Sequence, residues 1–213
     1  MITRPEPLRD QAYQLIRDQI IRQELKFGSK LSIAELSREF GISNSPIREA
    51  ISLLITEGLV ESVPNQGFYI LHLDSFTFSE IAQSIYVLLS GCYDSIVYNG
   101  KTGRLASLLK KKLKAQEDYP NPGPVYDYAC CTIDFDRSFV EVCGSRMLSR
   151  MFEAKFNLLV LCTLQIYSDD RELAENLHQH RQILEAVLAE DDQRVRRLLA
   201  EHYEKKQPEG YTL

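Results

Sequence analysis

The chain lacks any long apolar run. Its hydrophobic stretches get no longer than the five residues Leu158 to Cys162, far short of the ~20 that a membrane-spanning helix needs. It also lacks a Cys-x-x-Cys pair. Its five cysteines, Cys92, Cys130, Cys131, Cys143 and Cys162, are odd in number, which argues against a disulfide framework and reads as buried thiols in a reducing compartment. The opening residues Met-Ile-Thr-Arg-Pro-Glu-Pro have no apolar signal core, so a cytoplasmic location is expected. Net positive charge is missing as well. With 25 Lys and Arg against 30 Asp and Glu the balance is −5, which excludes a nucleic-acid binder working by bulk charge alone but not one with a local docking surface. What is present suits a folded protein. Hydrophobic residues make up 44% and charged residues 26% of 213, too apolar for a disordered chain and long enough for one large or two modest domains.

The hydrophobic period changes character near residue 72, which divides the chain into expected domains 1–73 and 74–213. In the first, Leu8, Ala12, Leu15, Ile16, Gln19 and Ile20 mark a helix with one apolar stripe. Ser32 with Glu35 three residues on is a capping box for a second helix carrying Ile33, Leu36 and Phe40 inward and stopping at Gly41. Ser43 is placed to cap a third, near 44–57, with Pro46 in its first turn and Gly58 at its end. The runs 59–63 and 68–71 then flank Pro64-Asn65-Gln66-Gly67 as a hairpin. Helix, glycine turn, helix and two-stranded wing is the plan of a DNA reader that lays its second helix in the major groove. Ser43, Asn44 and Ser45 lie at the leading turn of that helix, where backbone N–H groups can approach a phosphate, and Arg48 lies one turn on. Arg38 can reach a flanking phosphate, and Gln66-Gly67 form the wing tip. The helix pattern by itself fits a small capped helical subdomain equally well; the wing tips the reading towards DNA.

The segment Leu31-x-Ile33-x-Glu35-Leu36-Ser37, through Phe40-Gly41-Ile42-Ser43-Asn44-Ser45-Pro46-Ile47-Arg48-Glu49-Ala50-Ile51, to Glu57-Gly58-Leu59-Val60 and Pro64-Asn65-Gln66-Gly67, resembles the DNA-binding domain of GntR-family transcriptional regulators. The resemblance covers about 8–71. It implies that Ser43, Ser45 and Arg48 contact operator phosphates and bases and that Gly67 enters the minor groove. Three positions depart from the family pattern, which often has arginine where Ala34, Asn44 and Gln66 stand. Residues 1–70 carry eight Lys and Arg against nine Asp and Glu, a net of −1. Each lost phosphate contact flattens the salt slope by ~0.9, so a sequence-specific, salt-sensitive binder of modest affinity is expected.

Beyond residue 74 every long segment reads helical, with helices near 78–98, 102–118, 125–143, 145–167, 170–189 and 191–206. Breaks fall at Asn99-Gly100, at Pro120 to Pro124 and more weakly at Gly144. The fold class is therefore mainly α, a winged helix-turn-helix followed by an all-helical bundle. The run Lys110-Lys111-Lys112-x-Lys114 reads as a solvated helix face. His180 falls on the stripe Leu173, Leu177, His180, Leu184, Val187, and His202 on Val195, Leu198, Leu199, His202. Asp136 shares a face with Ala129, Thr132, Phe139 and Cys143. Three helices thus aim a titratable side chain inward, where an unpaired polar group is costly; a lone inward histidine would be an ordinary core residue, but two with a carboxylate suggest one cluster. His72 and His178 read as structural or solvated.

Two stretches of this half, Phe135-Asp136-Arg137-x-Phe139 to Gly144-Ser145 and Gln179-His180-Arg181 to His202, resemble the FCD sensor domain of the FadR-like branch of the family. In metal-binding members the matching positions are Thr132, Asp136, His180 and His202. The first carboxylate is missing here and the first histidine has become Asp136. Two imidazoles and a carboxylate can still hold one divalent ion, with Zn, Ni or Mn as candidates; the competing reading is a metal-free pocket in which Asp136 and a histidine bind each other or the effector. The resemblance implies a small carboxylate-type effector, but the branch's anchoring arginine aligns near Leu89. Tyr86, Tyr93, Arg137 and Asn157 are candidates for the pocket lining, whereas Phe152, Phe156, Leu159, Val160 and Thr163 read as core. The resulting expectation is a ligand-responsive transcriptional regulator, read as a repressor, binding a two-fold double-stranded operator as a homodimer with the first and fourth sensor helices as dimer faces. No membrane partner is expected. The alternative is a helical-bundle metalloenzyme using Asp136, His180 and His202, and behind it a purely partner-binding helical protein.

Overall fold

Alanine and isoleucine at every fourth position set the first helix. In the computed structural model, which describes residues 6–119, 125–166 and 170–204, α1 (Leu8–Ile21) buries Ala12, Ile16 and Ile20 and packs on α3. Leu8 and Leu15, expected on the same stripe, lie on the exposed side. After β1 (Lys30–Leu31), Ser32 caps α2 (Ile33–Phe40) by accepting a 3.3 Å hydrogen bond from the Glu35 amide. Gly41, at φ 66°, closes α2 in the left-handed conformation that glycine adopts without a Cβ penalty. Ile42 and Ser43 follow, and α3 (Asn44–Glu57) begins at once. Its inward face, Ile47, Ala50, Ile51 and Leu54, is fully buried, each large side chain contributing about 1.5–3 kcal/mol of burial.

The hairpin of β2 (Val60–Val63) and β3 (Gly67–Ile70) forms as its turn residues dictate, with Asn65 left-handed at φ 62°. It is one strand larger than expected. β1 pairs antiparallel with β3, Lys30 opposite Tyr69 and Leu31 opposite Phe68, so the order is β1-β3-β2. Two residues are too few for any periodic signal, and the pairing comes from β3 needing a partner on its second edge.

By its own contacts the chain divides into Met1–Leu73 and Asp74–Leu213. The second unit is helical throughout its described residues: α4 (Ser75–Tyr98), α5 (Thr102–Glu117), α6 (Val125–Cys143), α7 (Arg146–Glu153), α8 (Phe156–Ile166), α9 (Asp170–Leu188) and α10 (Asp192–Glu204). The break expected at Pro120 to Pro124 lies outside the described residues. α4 starts earlier than its apolar period suggests because Asp74 accepts the Thr77 amide at 2.8 Å. The segment expected as one helix over 145–167 is two. Ser145 caps α7, the Lys155 amide turns back to the Phe152 carbonyl in a tight i→i+3 bond, and α8 restarts with a nearly all-apolar surface. α7 is amphipathic, with Phe152 buried and Met147 and Met151 exposed, so a continuous helix could not serve both burial patterns.

α5 packs on α6 and α9, α9 on α10, α10 on α4, and α4 on α6, which closes a ring, with α8 laid against α6. Inside it lie Leu89, Tyr93, Phe139, Val195 and Leu199, all at or below 1% exposure. The lysines at 112 and 114 pair outward with Asp134 and Asp118, at 2.8 and 2.6 Å.

Candidate functional site

Three helices of the ring deliver the polar groups that the apolar stripes do not explain. Asp136 comes from α6, His180 from α9 and His202 from α10; none is more than 2% exposed. One ligand atom from each lies within 4.8 Å of the other two. Each is held from behind. The Gln116 Oε1 atom, on α5, is 2.8 Å from His180 Nδ1, and Gln179 Oε1 is 2.7 Å from His202 Nδ1. The Gln116 amide nitrogen faces the Asn176 carbonyl at 2.9 Å and Thr132 Oγ1 at 3.1 Å, so its oxygen is the atom turned to His180; the reverse assignment would oppose two carbonyl oxygens. With a carbonyl as partner, Nδ1 of each imidazole is the donor and the lone pair belongs to Nε2. Phe135 stacks on the His180 ring at 4.0 Å and 8°, which fixes its plane. Tyr203 donates to Asp136 Oδ2 at 2.8 Å. Ligands oriented in this way by hydrogen bonds to their far atoms are what metal centres use. Two imidazoles and one carboxylate form a borderline donor set that fits Zn, Ni or Mn with coordination positions to spare.

The site is layered along the helices. Thr132 and Asn176 stand one turn before Asp136 and His180, and with Gln116 they form a buried polar layer of their own. Thr132 spends its hydroxyl in that layer. On the other side of Asp136 is a cavity of about 30 Å³ walled by Phe78, Ile81 and Leu159, with Asp136, Thr163 and Tyr203 as its polar points and no basic side chain among the described residues.

Among the residues singled out from sequence, the structure brings Asp136, His180 and His202 together. It does not bring Tyr86, Tyr93, Arg137 or Asn157 to this cavity. Tyr93 is buried deeper in the ring and donates to Asp192 at 2.7 Å; burial first, and that bond second, push its hydroxyl well above the ordinary tyrosine range. Arg137 is taken by Asp134 and Glu153 and lies 4.5 Å over the Phe156 ring, a surface staple. Leu159 and Thr163, read as core, line the cavity instead. Gln116, Asn176, Gln179 and Tyr203 were not picked out. The available signal was an amide at the end of the stripe Leu105, Leu109, Leu113, Gln116, and another one turn before His180.

In the first unit, Ser43, Asn44, Ser45 and Arg48 are all exposed at the leading end of α3, as is Arg38 on α2. Ser43 occupies the N-cap position, yet its side chain makes no cap hydrogen bond, unlike Ser32 on α2. Ser37 donates to the Ile42 carbonyl at 2.5 Å, which pins the turn. Gln66 is exposed at the hairpin tip, beside Gly67 at φ 107°. His72 and His178 are exposed, and the cysteines are free thiols.

A profile of the family described as "Bacterial regulatory proteins, gntR family" matches residues 8–70, and one described as "FCD domain" matches residues 100–205. The chain is 26% identical over 204 residues to the HTH-type transcriptional regulator YdhC of Bacillus subtilis (strain 168), covering 95% of this chain and 90% of that one. It is 27% identical over 202 residues to the HTH-type transcriptional repressor GlaR of Escherichia coli (strain K12), covering 89% and 90%. Among solved structures, Lar, which controls expression of the Listeria monocytogenes agr system, superposes with a TM-score of 0.68 at 17% identity over 96% of this chain and 97% of that one. McbR/YncC of Escherichia coli does so at 0.64 and 23%, over 94% and 95%. These two likenesses are of fold.

Proposed function

The chain belongs to the gntR family of bacterial regulatory proteins and carries an FCD domain behind its DNA-binding domain, and on that premise we propose that it is an operator-specific repressor that reads DNA with the leading turn of α3 and senses a metal-assisted effector at Asp136, His180 and His202. It is a ligand-responsive, DNA-binding transcriptional regulator and, like its relatives, not an enzyme. The metalloenzyme alternative drawn from the same three residues therefore gives way.

The observation that carries the DNA reading is the division of α3 into two faces. Ile47, Ala50, Ile51 and Leu54 are buried, while Ser43, Asn44, Ser45 and Arg48 stand in solvent at the helix's positive end. In this reading the Ser43 hydroxyl, not folded onto its own helix, meets a phosphate. Asn44 meets a base edge, Arg48 the backbone or a guanine, Arg38 a flanking phosphate, and Gln66 with Gly67 the minor groove. The units 1–73 and 74–213 then divide the labour into DNA binding and effector binding with dimerisation. A homodimer fits a two-fold operator.

Asp136, His180 and His202 would hold one divalent ion, Zn, Ni or Mn, with Thr132 behind them. The ion would supply positive charge and open coordination positions beside the cavity. An organic-acid effector would need that charge, since the cavity lining contributes a carboxylate and no cation.

Sequences selected from a randomised duplex library, then titrated at several salt concentrations, test the DNA reading. The wild type is expected to choose one two-fold site. Arg48→Ala should weaken binding about tenfold or more and flatten the salt slope by ~0.9 per protomer contact. Equal affinity for every duplex at low salt would overturn it.

A further inference from the structure

Tyr203 stands where the cavity and the charged cluster meet. Its hydroxyl donates to Asp136 Oδ2 at 2.8 Å, its side chain forms part of the cavity wall, and its ring meets His202 edge-on, centroids 5.0 Å apart at 87°. It is only 7% exposed. Its neighbour in sequence, His202, belongs to the cluster itself. Successive residues on a helix point about 100° apart, so α10 reaches the cluster from two directions, with an imidazole from one and a phenol from the other.

We propose that Tyr203 is a positioning residue that holds the Asp136 carboxylate for the metal and makes that hold depend on what fills the cavity. This inference rests on the metal reading above. A carboxylate turns about its terminal torsion unless one oxygen is anchored. Gln116 and Gln179 anchor the two imidazoles from behind; Tyr203 does the same for Asp136 from the cavity side. Its position differs in consequence. The amides are backed by protein, whereas Tyr203 shares its cavity with Phe78, Ile81, Leu159 and the Thr163 hydroxyl. A short organic acid, apolar apart from its carboxylate, suits those walls. By accepting the phenol's hydrogen bond in place of Asp136, or by pressing on the ring, it releases Asp136 Oδ2. Linkage then requires metal and occupant to change each other's affinity by the same factor.

The test is a double-mutant cycle on the full-length protein with Zn²⁺ or Mn²⁺ as the probe, read by calorimetry, together with the visible spectrum of bound Co²⁺. Y203F keeps the ring and removes the hydroxyl. Ala82→Leu fills the cavity from α4 while leaving all three cluster residues and Tyr203 unsubstituted. Y203F is expected to weaken metal binding about 10- to 100-fold and to alter the Co²⁺ spectrum. Ala82→Leu should shift metal affinity about fivefold or more in the wild-type background and hardly at all in the Y203F background. Unchanged metal affinity in Y203F, even with a lowered melting temperature, would reduce Tyr203 to packing and overturn the proposal. So would an Ala82→Leu effect of equal size in both backgrounds. A wild type that binds none of these ions would bring down the metal reading and this inference together, a result distinct from either of the others.

Discussion

A buried phenol in the second unit and a half-buried one in the first are kept neutral by what surrounds them. Tyr93 is pushed up by burial and then by Asp192, and Tyr13, joining α1 to α3, by burial and then by its 2.6 Å bond to Glu57. The folded state therefore favours the protonated phenol more than the unfolded chain does, where tyrosine titrates near ~10. The stability this supplies is complete below about pH 10 and is lost as the pH rises further. Thermal unfolding followed by circular dichroism should show a falling transition above about pH 10, and Y93F should flatten it; a transition unchanged to about pH 11 would contradict the assignment. Cys92, by contrast, is pushed up to about 12, again by burial first and then by its neighbour Cys143, so it is held as a thiol at neutral pH. The histidines of the cluster were legible from sequence because an ionisable group on an apolar stripe has few cheap explanations. Gln116 and Asn176 were not, because an uncharged amide at the same kind of position looks like the stripe's solvent edge until the helix opposite is known. Nor could Tyr203 be read: a tyrosine beside Val195 and Leu199 is ordinary core, and only the approach of α6 turns its hydroxyl into a partner for Asp136.

Elements with strong caps were legible, and those fixed by a neighbour were not. Ser32, Gly41 and Gly58 mark α2 and α3 in the chain itself. The i→i+3 closure between α7 and α8 has no glycine or proline to announce it, and β1 exists only because β3 has two edges. Gly41 gives a sharp test at this scale. A Cβ there would meet nothing within 4 Å, so the whole cost of Gly41→Ala is the left-handed backbone at φ 66°. The expected loss is about 1–2 kcal/mol, measured by urea unfolding, and smaller for Gly41→Asn. A neutral Gly41→Ala would mean that the turn between α2 and α3 relaxes, and the angle on which major-groove reading depends would not be fixed there.

For the molecule as a whole, its exposed apolar side chains gather on particular helices. Phe76, Val87 and Tyr98 of α4 and Met147 and Met151 of α7 are each more than half exposed, as are Leu188 of α9 and, in the first unit, Leu8 of α1; within the sensor the groups of them lie on α4 and α7. These are the first and fourth helices of the sensor, and they are the faces the proposed homodimer would cover. Val87→Glu is expected to shift the sedimenting species to monomer and to cost operator affinity far beyond any single contact, because two half-sites bound together gain from effective concentration. A Val87→Glu protein that remains dimeric would move the interface elsewhere. The three-stranded sheet has a consequence for anyone who shuffles such regulators. The Gly28 amide donates to the Ile70 carbonyl and the Ile70 amide to the Ser29 carbonyl, so the wing is stitched to chain that precedes α2. A chimera that grafts only 41–70 onto another scaffold severs that seam and exposes one edge of β3, whereas a cut made ahead of α1 carries the seam, and the helix that packs on α3, across together.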